Sequence, residues 1–261
     1  MSCHKTCHSW LFIITALCLT SLPVAATELQ ANDLANKLRM LSQQILISYS
    51  QLEQGVEYVD AREDLTAHIG QYQEYLDTLN SGAGSEESQQ LLGEIAEVWQ
   101  AFRKTAQQKV SAEKSKTLFG QGEQLQQMAF ELFEVYEEEA GEEHGPVMDV
   151  VGKLDFLAYR LSMLYTYKVR GFNTDDALLA TTITELDKSI EWLRQRPENT
   201  DYINGQLEDT KQTMALLQRS ISISNTDLSF TVGRTTKRIA DTVDKLSAFY
   251  IEQHQKTLSA K

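Results

Sequence analysis

Asn32-Asp33-Leu34-Ala35-Asn36-Lys37-Leu38-Arg39-Met40-Leu41-Ser42-Gln43-Gln44-Ile45 is the stretch whose reading decides the fold. Leu34, Leu38, Leu41, Ile45, Ser48 and Leu52 follow one another at alternating spacings of four and three, which writes one apolar stripe along a helix. Beside the stripe runs a polar row, Arg39, Ser42 and Gln43, with Lys37 one turn earlier on its flank. A fixed positive charge next to hydroxyl and amide donors suits a small oxyanion. The same side chains would also serve a salt bridge between helices, and spacing alone leaves both readings open.

Working outward, every apolar run repeats the helical period and none alternates as a strand does. Helices are expected at 28–56, 60–80, 85–115, 118–140, 147–170, 174–196, 200–222 and 226–257. Their limits come from local stop and start chemistry. Asn80-Ser81-Gly82-Ala83-Gly84-Ser85 closes one helix and caps the next, Gly171 ends another, and Asn173-Thr174-Asp175-Asp176 opens its successor. Arg196-Pro197-Glu198-Asn199-Thr200 reads as a turn and Asn225-Thr226-Asp227 as a further cap. Further stripes are Leu91, Ile95, Val98, Phe102 and Ala106; Ile203, Leu207, Met214, Leu217 and Ile221; and Val232, Ile239, Leu246 and Phe249.

The halves echo one another. Lys37 to Ile45 aligns with Lys153-Leu154-Asp155-Phe156-Leu157-Ala158-Tyr159-Arg160-Leu161, and Phe119-Gly120-Gln121-Gly122 aligns with Phe230-Thr231-Val232-Gly233. Eight helices and an internal repeat predict an all-α fold of two tandem antiparallel four-helix bundles, 27–141 and 142–261. The Glu-rich stretch from Glu137 to Pro146 is the expected boundary.

Leu38-Arg39-Met40-Leu41-Ser42-Gln43-Gln44 closely resembles the Arg-Met-Leu-Ser-Gln-Arg signature of PilJ-type domains, the periplasmic N-terminal domains of type IV pilus chemotaxis transducers. It is also similar to the P-box of NarX/NarQ nitrate sensors. Asn36 stands where that family usually has Gly, and Gln44 where PilJ domains usually have Arg. The resemblance implies two tandem copies, the second degenerate, acting as a sensory module. It implies Arg39 as ligand to a nitrate- or nitrite-like anion, Ser42 and Gln43 as hydrogen-bonding groups, and Lys37 as a supporting charge. In NarX-type sensors two P-box helices face one another across a dimer. If the two halves imitate this, Asp155 falls opposite Arg39, where a carboxylate would take the anion's electrostatic role. A homodimer pairing two copies of Arg39 would restore a symmetric site.

Lys5, the apolar run from Trp10 to Leu22, and Val24-Ala25-Ala26 read as a signal peptide over 1–26, predicting a periplasmic protein. All three cysteines, Cys3, Cys7 and Cys18, lie inside it, leaving no thiol or disulfide chemistry to the exported chain. Its loss removes only Lys5, leaving 23 basic and 37 acidic residues and a net charge of −14. That disfavours nucleic acid and anionic membranes as partners. No second apolar run of about 18 residues follows, so a signal would pass through a membrane-bound sensor or chemotaxis receptor.

Other features point to no chemistry. His68, His144 and His254 lack metal-ligand spacing, and no cofactor is implied. Glu137-Glu138-Glu139 with Glu142-Glu143 reads as a solvated linker. Phe156, Tyr159, Tyr165 and Tyr167 would line an organic-ligand pocket or, more simply, fill core; Trp99, Phe102 and Trp192 read as core or boundary fillers. With no nucleophile elbow, phosphate loop or zincin motif, an enzyme is not expected. The competing reading is a non-catalytic helical scaffold or adaptor of the cell envelope with no small ligand.

Overall fold

Among the described residues eight helices form: α1 (Val24–Gln54), α2 (Tyr58–Ser81), α3 (Glu86–Ala106), α4 (Ala112–Ala140), α5 (Pro146–Val169), α6 (Asp176–Arg194), α7 (Asp201–Ile223) and α8 (Ser229–Ser259). A computed structural model describes residues 24–55, 58–82, 84–140, 146–172, 174–223 and 229–259, and no strand occurs among them. The signal-peptide reading therefore falls outside the described residues, except that 24–26 open α1. The cap expected at Asn225-Thr226-Asp227 falls outside them too.

Neighbours in sequence are neighbours in space. Helices α1 to α4 pack in a ring, each on the next and α4 back on α1, and α5 to α8 repeat the arrangement. The expected all-α pair of four-helix bundles is what forms. Leu34, Leu38, Leu41, Ile45, Ser48 and Leu52 are all buried, so the opening stripe is the core face of α1. Residues pairing α1 with α4 run in opposite order, from Asn32 with Phe133 to Glu53 with Ser115, so these helices are antiparallel.

The bundles meet along α1 and α5. Gln43 meets Arg160 and Ser50 meets Arg170, so the two helices lie side by side and run the same way. Gly152 permits this approach: a Cβ there would sit 2.6 Å from the Asn36 amide nitrogen. Gly122 does the same for α4, where a Cβ would lie 2.7 Å from Leu46 Cδ1. At the far end of the seam Arg170 ties three helices together. It pairs with Glu53 of α1 and donates to Ser50 Oγ at 3.0 Å and to Ser115 Oγ of α4 at 3.4 Å.

The helix ends follow their local chemistry. Ser85 accepts from Ser88 N–H at 3.1 Å and Asp175 from Ala177 N–H at 2.8 Å, both as N-caps. Gly55 and Gly171 take positive φ, 68° and 77°, at the ends of α1 and α5.

Three expectations need correction. The helix expected over 85–115 stops at Ala106, because Ser111 starts a new one: its carbonyl accepts from Ser115 N–H at 2.9 Å and its hydroxyl from Lys114 N–H at 3.4 Å. Of its expected stripe Ile95, Phe102 and Ala106 are buried, but Leu91 and Val98 are only partly covered and their neighbours Leu92 and Trp99 take the core positions. Glu137, Glu138 and Glu139 lie in α4, as the helix expected over 118–140 has them, so the solvated-linker reading fails for these three.

Candidate functional site

Arg39 follows Leu38, and one residue turns a helix by about 100°. With Leu38 in the core of the first bundle, the next side chain is aimed at the junction of α1, α4 and α5. Its guanidinium carbon lies 4.5 Å from the ring centre of Phe130 on α4 and 4.1 Å from that of Phe156 on α5. The planar cation is stacked between two phenyl faces, which attract it through their quadrupoles. Only 7% of Arg39 is exposed.

Its polar partners are few. Nη1 donates to Asn36 Oδ1 on its own helix at 3.3 Å. Nε is buried with no acceptor, and no carboxylate among the described residues is in ion-pair range of the guanidinium. Burial pulls its pKa from 12.5 down to about 10, the nearby Arg160 charge pushes the same way, and Glu134 opposes both. The group stays charged at neutral pH in a setting that disfavours charge.

Ser42 and Gln43 lie next to it, both fully buried. The Ser42 hydroxyl donates to the Arg39 carbonyl at 2.7 Å, and Gln43 Nε2 donates to Ser42 Oγ at 3.1 Å. The other end of the Gln43 amide accepts from Arg160 Nη1 at 3.4 Å across the bundle interface. Arg160 is itself neutralised: its fork grips both oxygens of Glu123 on α4, with Nη2 to Oε2 at 2.6 Å. Two guanidiniums thus share one buried cluster, and the carboxylate serves only Arg160.

Lys37 faces another way. It pairs with Asp33 at 2.6 Å, and its ammonium stands 5.8 Å from the ring centre of Tyr75 on α2. The structure brings together Arg39, Ser42 and Gln43 of the expected set and places Lys37 on the α2 side.

The Asp155 expectation is corrected in its detail. The residue of α5 that meets Arg39 is Phe156, one position on and so about 100° around the helix. Nor is Arg39 presented for pairing with a second chain, since Phe130 and Phe156 cover it within its own. Of the aromatic group, Phe156 covers Arg39, whereas Tyr167 packs in the core against Phe119 and Phe172.

Sequence reading gave no weight to Phe130, Arg160 or Glu123. Arg160 carried the one available signal, as the polar residue retained where the second half lost Ser42 and Gln43 to Ala158 and Tyr159. Phe130 carried none, because its partner lies 91 positions away and only the antiparallel packing of α4 on α1 brings it there.

The family model for PilJ, the type IV pili methyl-accepting chemotaxis transducer N-terminal domain, matches residues 31–125. The stretch runs from the start of the described α1 core into the middle of α4 and contains Arg39, Ser42, Gln43 and Glu123. Chemotaxis sensing is the setting of that family, and it is a non-catalytic one. The match does not extend to a second copy over α5 to α8. No curated protein and no solved structure matches the chain.

Proposed function

We propose that this chain is the periplasmic input module of a chemotaxis-type signalling system, that Arg39 is the ligand to a small inorganic oxyanion of the nitrate or nitrite kind, and that Ser42 and Gln43 shape its surroundings. The observation that carries this reading is a buried guanidinium whose Nε has no acceptor and which has no carboxylate in range, beside a second guanidinium that does. Burying a charge without a counter-ion is expensive, and a small anion beside Arg39 would relieve that cost.

Binding would be felt by both bundles. The guanidinium touches Phe130 of the first and Phe156 of the second, and Gln43 reaches Arg160 across the same seam. An anion that prefers one spacing of α1, α4 and α5 shifts the balance between packings, the usual way a helical sensor transmits occupancy. No helix among the described residues is long and apolar enough to cross a membrane. In this reading the shift is passed to a membrane-bound sensor or chemotaxis receptor. The parallel pairing of α1 with α5, at a register close to the offset of the sequence repeat, supports two domains of common origin over 27–141 and 142–261.

The test is calorimetric titration of the chain with nitrate and with nitrite, beside Arg39→Ala. Binding by the wild type that the variant loses supports the assignment. No binding by the wild type removes the nitrate reading and leaves the scaffold alternative standing.

A further inference from the structure

Two turns further along the α1–α5 seam, the bundles part to leave a cleft of about 150 Å³, walled by α1 and α2 on one side and by α5 and α8 on the other. At its base are the hydroxyls of Ser162 and Thr236, residues essentially without exposure. Neither hydroxyl has a hydrogen-bond partner. Buried polar groups are almost always satisfied, and a helical Ser or Thr has its own preceding turn as a ready acceptor. Two hydroxyls left open on facing helices of one cavity mark a surface built to be completed by something else.

The rest of the lining sets the chemistry. Ser48 Oγ and His68 Nδ1, 3.4 Å apart, form the wall from the first bundle. Arg234 and Lys237 of α8 bring positive charge to the rim, against Asp64 of α2 in the lining and Asp241, which stands 3.5 Å from the Lys237 ammonium on its own helix, in a chain that is strongly acidic overall. Burial disfavours a charge on His68, so the imidazole offers a neutral hydrogen-bonding edge. A cavity near 150 Å³ takes a benzene-sized molecule, about six non-hydrogen atoms.

We propose that this cleft binds a short carboxylate of that size bearing a second polar group, its carboxylate at the Arg234 and Lys237 rim and its polar group on the Ser162 and Thr236 hydroxyls. The site is separate from Arg39 and draws residues from both bundles, so occupancy would pin them together. Its ligand is organic, whereas the Arg39 cluster has room in its chemistry only for a small inorganic anion.

The test is titration calorimetry on the full exported chain with L-lactate, L-alanine and propionate, repeated in saturating nitrate and on the double variant Ser162→Ala/Thr236→Val. The expected result is that lactate or alanine binds at least tenfold more tightly than propionate, that nitrate does not compete, and that the double variant loses the tenfold advantage. Removing two unsatisfied hydroxyls should leave the variant's melting temperature unchanged or higher, which keeps a loss of binding interpretable. The proposal is overturned if neither polar acid binds, if propionate binds as well, if nitrate displaces them, or if the double variant binds undiminished. Because the readout does not involve Arg39, failure here and failure of the anion assignment are told apart.

Discussion

Replacing Arg39 by methionine tests what the guanidinium is for. Burial and the Arg160 charge take its pKa from 12.5 to about 10, and at about 1.4 kcal/mol for each pH unit this is roughly 3 kcal/mol of cost to the fold. The sign is fixed: at pH 7 the group is charged in both folded and unfolded chains, so the cost is fully present and is relieved only as pH rises through about 10. The phenyl faces of Phe130 and Phe156 return about 2 kcal/mol in a desolvated stack. A methionine of similar length keeps sulfur–aromatic contact worth about 1 kcal/mol and carries no charge. Arg39→Met is therefore expected to fall within about 1 kcal/mol of the wild type, or to be more stable, while losing anion binding. Urea unfolding followed by circular dichroism gives the difference directly. A loss of about 3 kcal/mol or more would refute the reasoning, because the guanidinium would then be a structural fastener and not a charge held for a ligand.

The neighbouring arginine should behave in the opposite way. Arg160→Met strands Glu123, and since that carboxylate keeps 28% side-chain exposure the expected loss is about 2 kcal/mol, below the roughly 3–5 kcal/mol of a fully buried pair; urea unfolding checks it. Gly152→Ala would push the flexible Asn36 amide off Arg39; that shift is cheap and is offset by the ~1 kcal/mol alanine gains over glycine inside a helix, so stability should change by less than about 1 kcal/mol while nitrate binding weakens, seen by thermal melting and calorimetry together. Asp149 gives a pH signature: burial, with Glu137 beside it, raises its carboxyl from 3.8 to about 7. Between those values the folded chain holds a proton that the unfolded chain has released, so this group's contribution makes stability fall as pH rises through that window. Asp149→Asn should flatten this part of the profile, and melting temperatures taken across it would show whether it does.

The architecture was legible because its determinants are local. Leu34 to Leu52 recur on one face whatever their partners, and Ser85, Gly171 and Asp175 cap or stop helices through bonds to residues within a few positions. The break at 107–111 was missed because neither Gly nor Pro marks it, and it depends on a serine cap followed by ordinary helix formers. The candidate site was legible only in its first-helix part. Arg39, Ser42 and Gln43 share one helical neighbourhood, so spacing found them. Phe130, Phe156 and Arg160 reach the cluster only through the pairing of α4 and α5 with α1, which no local rule encodes. Lys37 was grouped with Arg39 by its proximity in sequence, but its contacts with Asp33 and Tyr75 take it to the α2 side.

The most direct measurement is the Nε–H resonance of Arg39 in a nitrogen-15 spectrum of the exported chain, assigned by its loss in Arg39→Met and followed during titration with nitrate. That proton is buried and has no acceptor. An anion bound to the guanidinium should shift its signal in a saturable way, while Arg170, tied to Glu53 at the other end of the seam, stays put. An Arg39 signal that does not move at saturating nitrate would contradict the assignment.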